Sequence, residues 1–241
     1  SEENSVRFDE LVCLLEAGND EDVKSHLENF HHSDLADAFG LLDKNLRSRL
    51  LGFVKDDLDP DLLFELEDHL RHEITDNLSA QEVAEVITEM DSDEAVQVLE
   101  DMDLQDRNEI LDQVPEEERE DIEIGLAYPE DSAGRRMQTD LVSVGTDWDV
   151  GKTIDYLREE EDLPEEFLEI FIVDNDFKPI GTVPSSRVLR TSRDLKMNSI
   201  MREMPVLISV NMDKEEVGLT FENYNLVSAG VVNKENKLVG M

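Results

Sequence analysis

The stretch IVDNDFKPIGTV at residues 172–183 can be laid over VVNKENKLVGM at 231–241, placing Val173 on Val232 and Gly181 on Gly240, both at an offset of 59. Each copy runs from β-branched residues through a short polar segment back to apolar residues, the pattern of two strands joined by a tight turn. Further strand-like runs precede them: LVSV at 141–144 followed by Asp147, and PVLISV at 205–210 followed by Asp213. Aligned on those aspartates the offset is 66, so the first copy is expected to carry a loop about seven residues longer, around Glu159 to Pro164. Each copy reads as strand, helix, strand, turn, strand. The second reaches Met241 before a closing helix could form, so the chain is expected to be a piece of a longer protein.

Outward from this repeat, towards the N-terminus, the texture is entirely different. From about residue 5 to 128 β signals are nearly absent, and apolar residues recur at helical spacing in Leu11, Leu14 and Leu15, in Val83, Val86 and Ile87, and in Val96 and Leu99. Helix starts are written into the chain. Ser33 opens SDLADAFGLL, Asp59 precedes Pro60 at a first helical position, Ser79 with Glu82 spells a capping box and Asp91 with Glu94 another. Helices of about 10 to 13 residues with very short turns are expected. The segments SAQEVAEVITEMD at 79–91 and SDEAVQVLEDMD at 92–103 resemble each other at a pitch of about 12 to 13 residues, which suits a small superhelix of stacked helix pairs or an ordinary bundle.

Composition narrows the function. There are 61 Asp and Glu against 22 Lys and Arg, a formal charge of −39, so the folded chain repels itself unless cations or partners neutralise it, and nucleic acid is excluded as a partner. No stretch approaches the roughly 18 apolar residues of a membrane span, which predicts a soluble segment. The single cysteine, Cys13, excludes an internal disulfide and fits a reducing, cytoplasmic setting; within its apolar helical stretch it is expected in the core.

Motifs that carry chemistry are few and incomplete. Asp57, Asp59 and Asp61 alternate like the first ligands of a calcium loop, but Leu62 stands where that loop needs glycine and Asp68 replaces its glutamate. Asp174 and Asp176 read as a tight turn instead. Glu65, His69 and His72 would share one face of a continuous helix, though without a fourth ligand, and His31 and His32 read as loop before the Ser33 cap. Nucleophile elbow, dinucleotide fingerprint and phosphate loop are all missing, so the chain is not expected to be an enzyme.

The residues YPEDSAGRRMQTDLVSV at 128–144, NSIMREMPVLISVNMDKEEV at 198–217 and LSAQEVAEVITEMDSDEAVQVL at 78–99 together resemble MgtE-type magnesium transporters, in the order N-domain then CBS motifs. The resemblance implies an all-α right-handed superhelical N-domain over 1–128, a first α/β CBS motif over 129–198 and an incomplete second one over 199–241. It also implies a homodimer through the CBS motifs, and a transmembrane domain in the full-length protein that anchors this region at the cytoplasmic face of the membrane. In that family Mg2+ binds between acidic surfaces and holds a closed state. Matching positions here are Asp61, Asp93 and Glu215, whereas Gln97 and Asn225 stand where family members can carry aspartate. Magnesium, a hard ion that keeps several waters and accepts one or two carboxylates, suits a diffuse, low-affinity set of this kind. Two other readings stay open. CBS pairs often bind adenine nucleotides, but GTVPSSRVL at 181–189 puts Pro184 and Arg187 in the key places; and an acidic superhelix could be an adaptor for a basic protein surface.

Overall fold

The computed structural model describes residues 2–160, 163, 164, 166–204 and 206–241. Part of the expected long loop and the first residue of PVLISV therefore lie outside the described residues. The chain divides into two compact units: residues 1–90 with 98–119, and residues 91–97 with 120–241.

The first unit is built from helices α1 (Glu2–Ala17), α2 (Asp20–Leu27), α3 (His32–Leu41), α4 (Lys44–Val54), α5 (Pro60–Glu65), α6 (Asp68–Thr75), α7 (Ala80–Thr88) and α9 (Leu104–Leu111). Helix α8 (Ser92–Glu100) enters it by its last residues, and α10 (Glu116–Ala127) leaves it after its first turn. Strands are absent among its described residues, as the periodicity predicts, but the helices run from 6 to 16 residues, more varied than expected. Leu11, Leu15, Phe39, Leu50, Leu62, Leu63 and Leu70 are fully buried, each burial contributing about 1.5–3 kcal/mol of transfer free energy. The Ser79–Glu82 box closes in both directions and Pro60 takes the first position of α5 under the Asp59 cap. At α3 the cap is His31, whose Nδ1 accepts the Ser33 N–H, so His32 is helical and Ser33 lies inside the helix. Cys13 is exposed: its face of α1 points away from the Leu11 and Leu15 core.

Three of the short turns are closed in the same way. Arg71 donates to the carbonyls of Leu63, Phe64 and Leu66, which are residues i−8, i−7 and i−5, and Arg107 donates to Leu99, Glu100 and Met102 at the same three spacings. Arg47 donates to Phe39 and Leu42, again i−8 and i−5. Each guanidinium thus satisfies the orphan carbonyls at the end of the preceding helix, which a very short turn would otherwise leave without partners.

The second unit holds the repeat. Strands β1 (Ser143–Gly145), β2 (Glu169–Val173) and β3 (Pro179–Pro184) form one sheet, parallel then antiparallel, while β4 (Ile208–Ser209), β5 (Val231–Val232) and β6 (Leu238–Gly240) repeat that order and those directions. Helix α12 (Val150–Glu159) follows β1, and α15 (Lys214–Tyr224) follows β4. The connecting turns match in their bonding: Asp174 Oδ1 accepts the N–H of Asp176 and Lys178, and Asn233 Oδ1 accepts those of Glu235 and Lys237. Phe177 and Asn236 carry the positive φ that closes each turn, at 64° and 60°.

Strand register corrects the upstream alignment. Gly145 pairs with Val173 as Ser209 pairs with Val232, and Asp149, not Asp147, matches Asp213, both capping the following helix through a side-chain oxygen. The upstream offset is therefore 64 against 59, a loop five residues longer rather than seven. The two motifs also exchange their leading segments. Ser132 bridges to Asp213 and Gln138 exchanges both backbone bonds with Met241; Lys196 bridges to Asp149 and Arg202 exchanges both with Thr182. Short helices α11 (Ala133–Arg136) and α14 (Met197–Ile200) ride on these crossings, while α13 (Ser185–Leu189) follows β3. Val144, Val150, Ile170, Ile172, Val183 and Met197 form the core of the first motif; Ala133, Met137, Ile208, Val210 and Val231 form that of the second.

Candidate metal centre

Each expected magnesium contact lies in the first turn of a helix, but their surroundings differ. Asp61 is in α5, 58% exposed, with Oδ2 at 3.4 Å from His32 Nδ1. Asp59 Oδ2 lies 3.9 Å from the same nitrogen, while its Oδ1 caps α5 by accepting the Asp61 N–H at 2.9 Å. On the opposite edge of the ring, His32 Nε2 is 3.4 Å from Glu65 Oε1, which also accepts the Ser33 hydroxyl at 3.0 Å. His32, Asp59 and Asp61 each offer one ligand atom, all within 4.8 Å of one another. Nothing in residue spacing pairs His32 with Asp59, because the approach of α3 to α5 is a tertiary event. The Glu65–His69–His72 face does not form, since the chain breaks between α5 and α6. Glu65 turns to His32, and both ring nitrogens of His72 face backbone carbonyls, of Asp68 at 2.7 Å and Asp101 at 3.2 Å. Those two acceptors favour the imidazolium and raise the His72 pKa.

Asp93 belongs to the second unit, half-buried at the start of α8. The Ser92 hydroxyl accepts from the Thr139 N–H at 2.9 Å and bonds its hydroxyl at 2.8 Å, which brings Asp140 beside the helix start. Burial foremost, then the charges of Asp91 and Asp140, raise the Asp93 pKa against the opposing pull of its own and Glu94's N–H groups. The charged form of Asp93 is thus disfavoured by its surroundings.

Glu215 is exposed on α15, its N–H donating to the Asp213 cap at 2.9 Å, and Lys214 pairs with Asp131 at 2.7 Å beside it. Of these three positions, among the described residues only Asp61 belongs to a group of ligand atoms close enough together to hold a metal ion. Asn225 has its own structural reason, terminating α15 in the left-handed conformation at φ 50°, ψ 50°, which asparagine tolerates better than most residues. It also lines a cleft of about 480 Å³ with Phe171, Thr182, Pro184, Arg202 and Gly230.

Residues 30–131 match the family described as the MgtE intracellular N domain. Over this stretch the chain is similar to MgtE N domains. Among curated proteins, the magnesium transporter MgtE of Bacillus subtilis is 23% identical over 98% of the chain and 53% of its own length. MgtE of Thermus thermophilus is 26% identical over 50% of the chain and 27% of its own length. The chain thus spans about half the length of the MgtE relative that it matches throughout. Two solved structures share the fold: the soluble part of a magnesium transporter, at a TM-score of 0.81 and 21% identity over 98% of this chain and 93% of that one, and the cytosolic domain of the Mg2+ channel MgtE in complex with ATP, at 0.84 and 23% over 95% and 94%. Among the described residues no helix is long and apolar enough to cross a membrane.

Proposed function

We propose that this chain is the cytosolic magnesium-sensing region of an MgtE-type transporter, without enzymatic activity, acting at the cytoplasmic face of the membrane on a pore formed by the rest of the protein. Mg2+ held between acidic surfaces, with Asp61, Asp93 and Glu215 among its contacts, stabilises a compact closed state. The observation that carries this reading is Asp93, whose charge is penalised by burial and by Asp91 and Asp140. Magnesium bound through its waters to one or two such carboxylates removes that penalty, and its release restores the repulsion of a chain carrying −39 charges. The response is set by the difference in affinity between the two states, so weak sites suffice for a sensor of cytosolic magnesium. In this reading residues 1–128 are the sensing domain, 129–198 and 199–241 are the CBS motifs, and dimerisation runs through those motifs.

Small-angle scattering of the chain, titrated with magnesium at fixed ionic strength against a potassium control, tests it. Compaction that saturates with magnesium and weakens in the Asp61→Ala, Asp93→Ala double variant is expected; an equal response to potassium would refute a specific sensor. The cleft lined by Thr182, Arg202 and Asn225 supports a second ligand, an adenine nucleotide, since its volume falls within the range of small-molecule sites and Arg202 offers a cation for phosphate. Calorimetry with ATP, with and without Arg202→Ala, tests that reading separately.

A further inference from the structure

We propose that His32, Asp59 and Asp61 form a binding site, inside the first unit, for a borderline divalent transition-metal ion, with zinc as the type case. The site shares Asp61 with the proposed magnesium contacts and is set apart from them by the imidazole. The ligand set decides the class. An imidazole nitrogen beside two carboxylates suits Zn2+, Co2+ or Mn2+, whereas Mg2+ favours an all-oxygen shell and keeps its waters. Two ligands at about 2.0–2.1 Å from a tetrahedral ion stand about 3.3 Å apart. His32 Nδ1 and Asp61 Oδ2 are already separated by 3.4 Å, and Asp59 offers a third ligand, with Oδ2 at 3.9 Å from the same nitrogen and a ligand atom within 4.8 Å of the other two.

The second observation is the far side of the ring. A metal-bound histidine ordinarily donates its other N–H to a carboxylate, which fixes the tautomer and strengthens the ligand. Glu65 Oε1 lies 3.4 Å from His32 Nε2 and is itself oriented by the Ser33 hydroxyl, so a carboxylate stands beside the far nitrogen, where the outer arm of a carboxylate–histidine–metal relay would form on a small approach. The tilted His31 ring packs against His32 at 3.8 Å between centroids and restricts its rotation. Asp59 commits only Oδ1 to capping α5, leaving Oδ2 for the ion. Three protein ligands leave at least one position for water, and His32 is 21% exposed, so the ion can exchange with solvent while tying the start of α3 to the start of α5.

Zinc titration by calorimetry at neutral pH, in a background of excess magnesium, with Co2+ absorption as a report of coordination, tests the assignment on the whole chain. His32→Ala is expected to weaken zinc by about 100-fold or more, since even outer partners of a metal ligand are worth about 10- to 100-fold, and Glu65→Gln by about 10-fold. His69→Ala should leave binding unchanged. If circular dichroism shows that His32→Ala does not fold, Asp61→Asn carries the same expectation. Zinc affinity equal in parent and His32→Ala, or lost in His69→Ala instead, would overturn the site, as would displacement of zinc by magnesium. The two readings separate because His32→Ala should abolish the zinc response while the magnesium-driven compaction persists.

Discussion

Replacing Arg71 by Met keeps most of the apolar stem but removes the guanidinium that serves three carbonyls. Its side chain is only 5% exposed, and it donates to Leu63 at 3.2 Å and to Phe64 and Leu66 at 2.9 Å. At a net value of about 1 kcal/mol for each bond, the loss is about 3 kcal/mol, because the carbonyls at the end of α5 are left in a short turn with poor access to water. For a helical unit of about 110 residues that lowers its melting temperature by about 10–20 °C. The assay is thermal and urea unfolding followed by far-ultraviolet circular dichroism, with Arg49→Met as the control. Arg49 forms an exposed pair with Asp20, the two side chains being 37% and 68% exposed, and such pairs contribute about 0–1 kcal/mol. Equal effects of the two substitutions, or a loss at Arg71 below about 1 kcal/mol, would refute the argument that these arginines close the turns.

Gly181→Ala should destabilise the second unit by about 1–3 kcal/mol, because the added Cβ would sit 2.6 Å from the Arg202 carbonyl where the leading segment of the other motif crosses. Gly218, in α15 with open space around it, should instead gain about 0.5–1 kcal/mol on replacement by Ala; unfolding followed by the fluorescence of Trp148, the single tryptophan, reads both. Asp93→Asn should make the second unit more stable than the parent at neutral pH. Since the folded-state pKa of Asp93 is raised, the native state binds that proton more tightly than the unfolded chain, so the parent gains stability as pH falls through the folded pKa and the gap between the two closes. A gap independent of pH in melting curves would count against the burial and repulsion assigned to Asp93.

Much of the architecture is local and therefore legible in the chain. Helical periodicity up to residue 127, the capping box at Ser79 and Glu82, and the turn built by Asp174 with its counterpart at Asn233 all rest on interactions within a few residues. The duplication is legible for the same reason: two copies of one strand–turn–strand unit keep the same backbone demands at the same positions. Composition likewise bounds function, because the excess of carboxylates is a property of the chain before it folds.

What only the tertiary structure decides is which distant segments meet. His32 reads as loop and becomes a helical residue facing Asp59, Asp61 and Glu65, because α3 packs on α5; the Glu65, His69 and His72 face dissolves, because the chain turns between two helices too short to be separated by pattern. Cys13 and Leu11 have the same helical signature, yet one is exposed and the other buried, since an apolar stripe marks a face without naming the residue at its edge. The exchange of leading segments between the motifs, and with it the reason that Gly181 and Gly240 recur, depends on backbones far apart in sequence crossing within van der Waals distance. Periodicity and capping record forces that act along the chain; ligand geometry, and the field that penalises the charge of Asp93, arise only when the chain has folded back on itself.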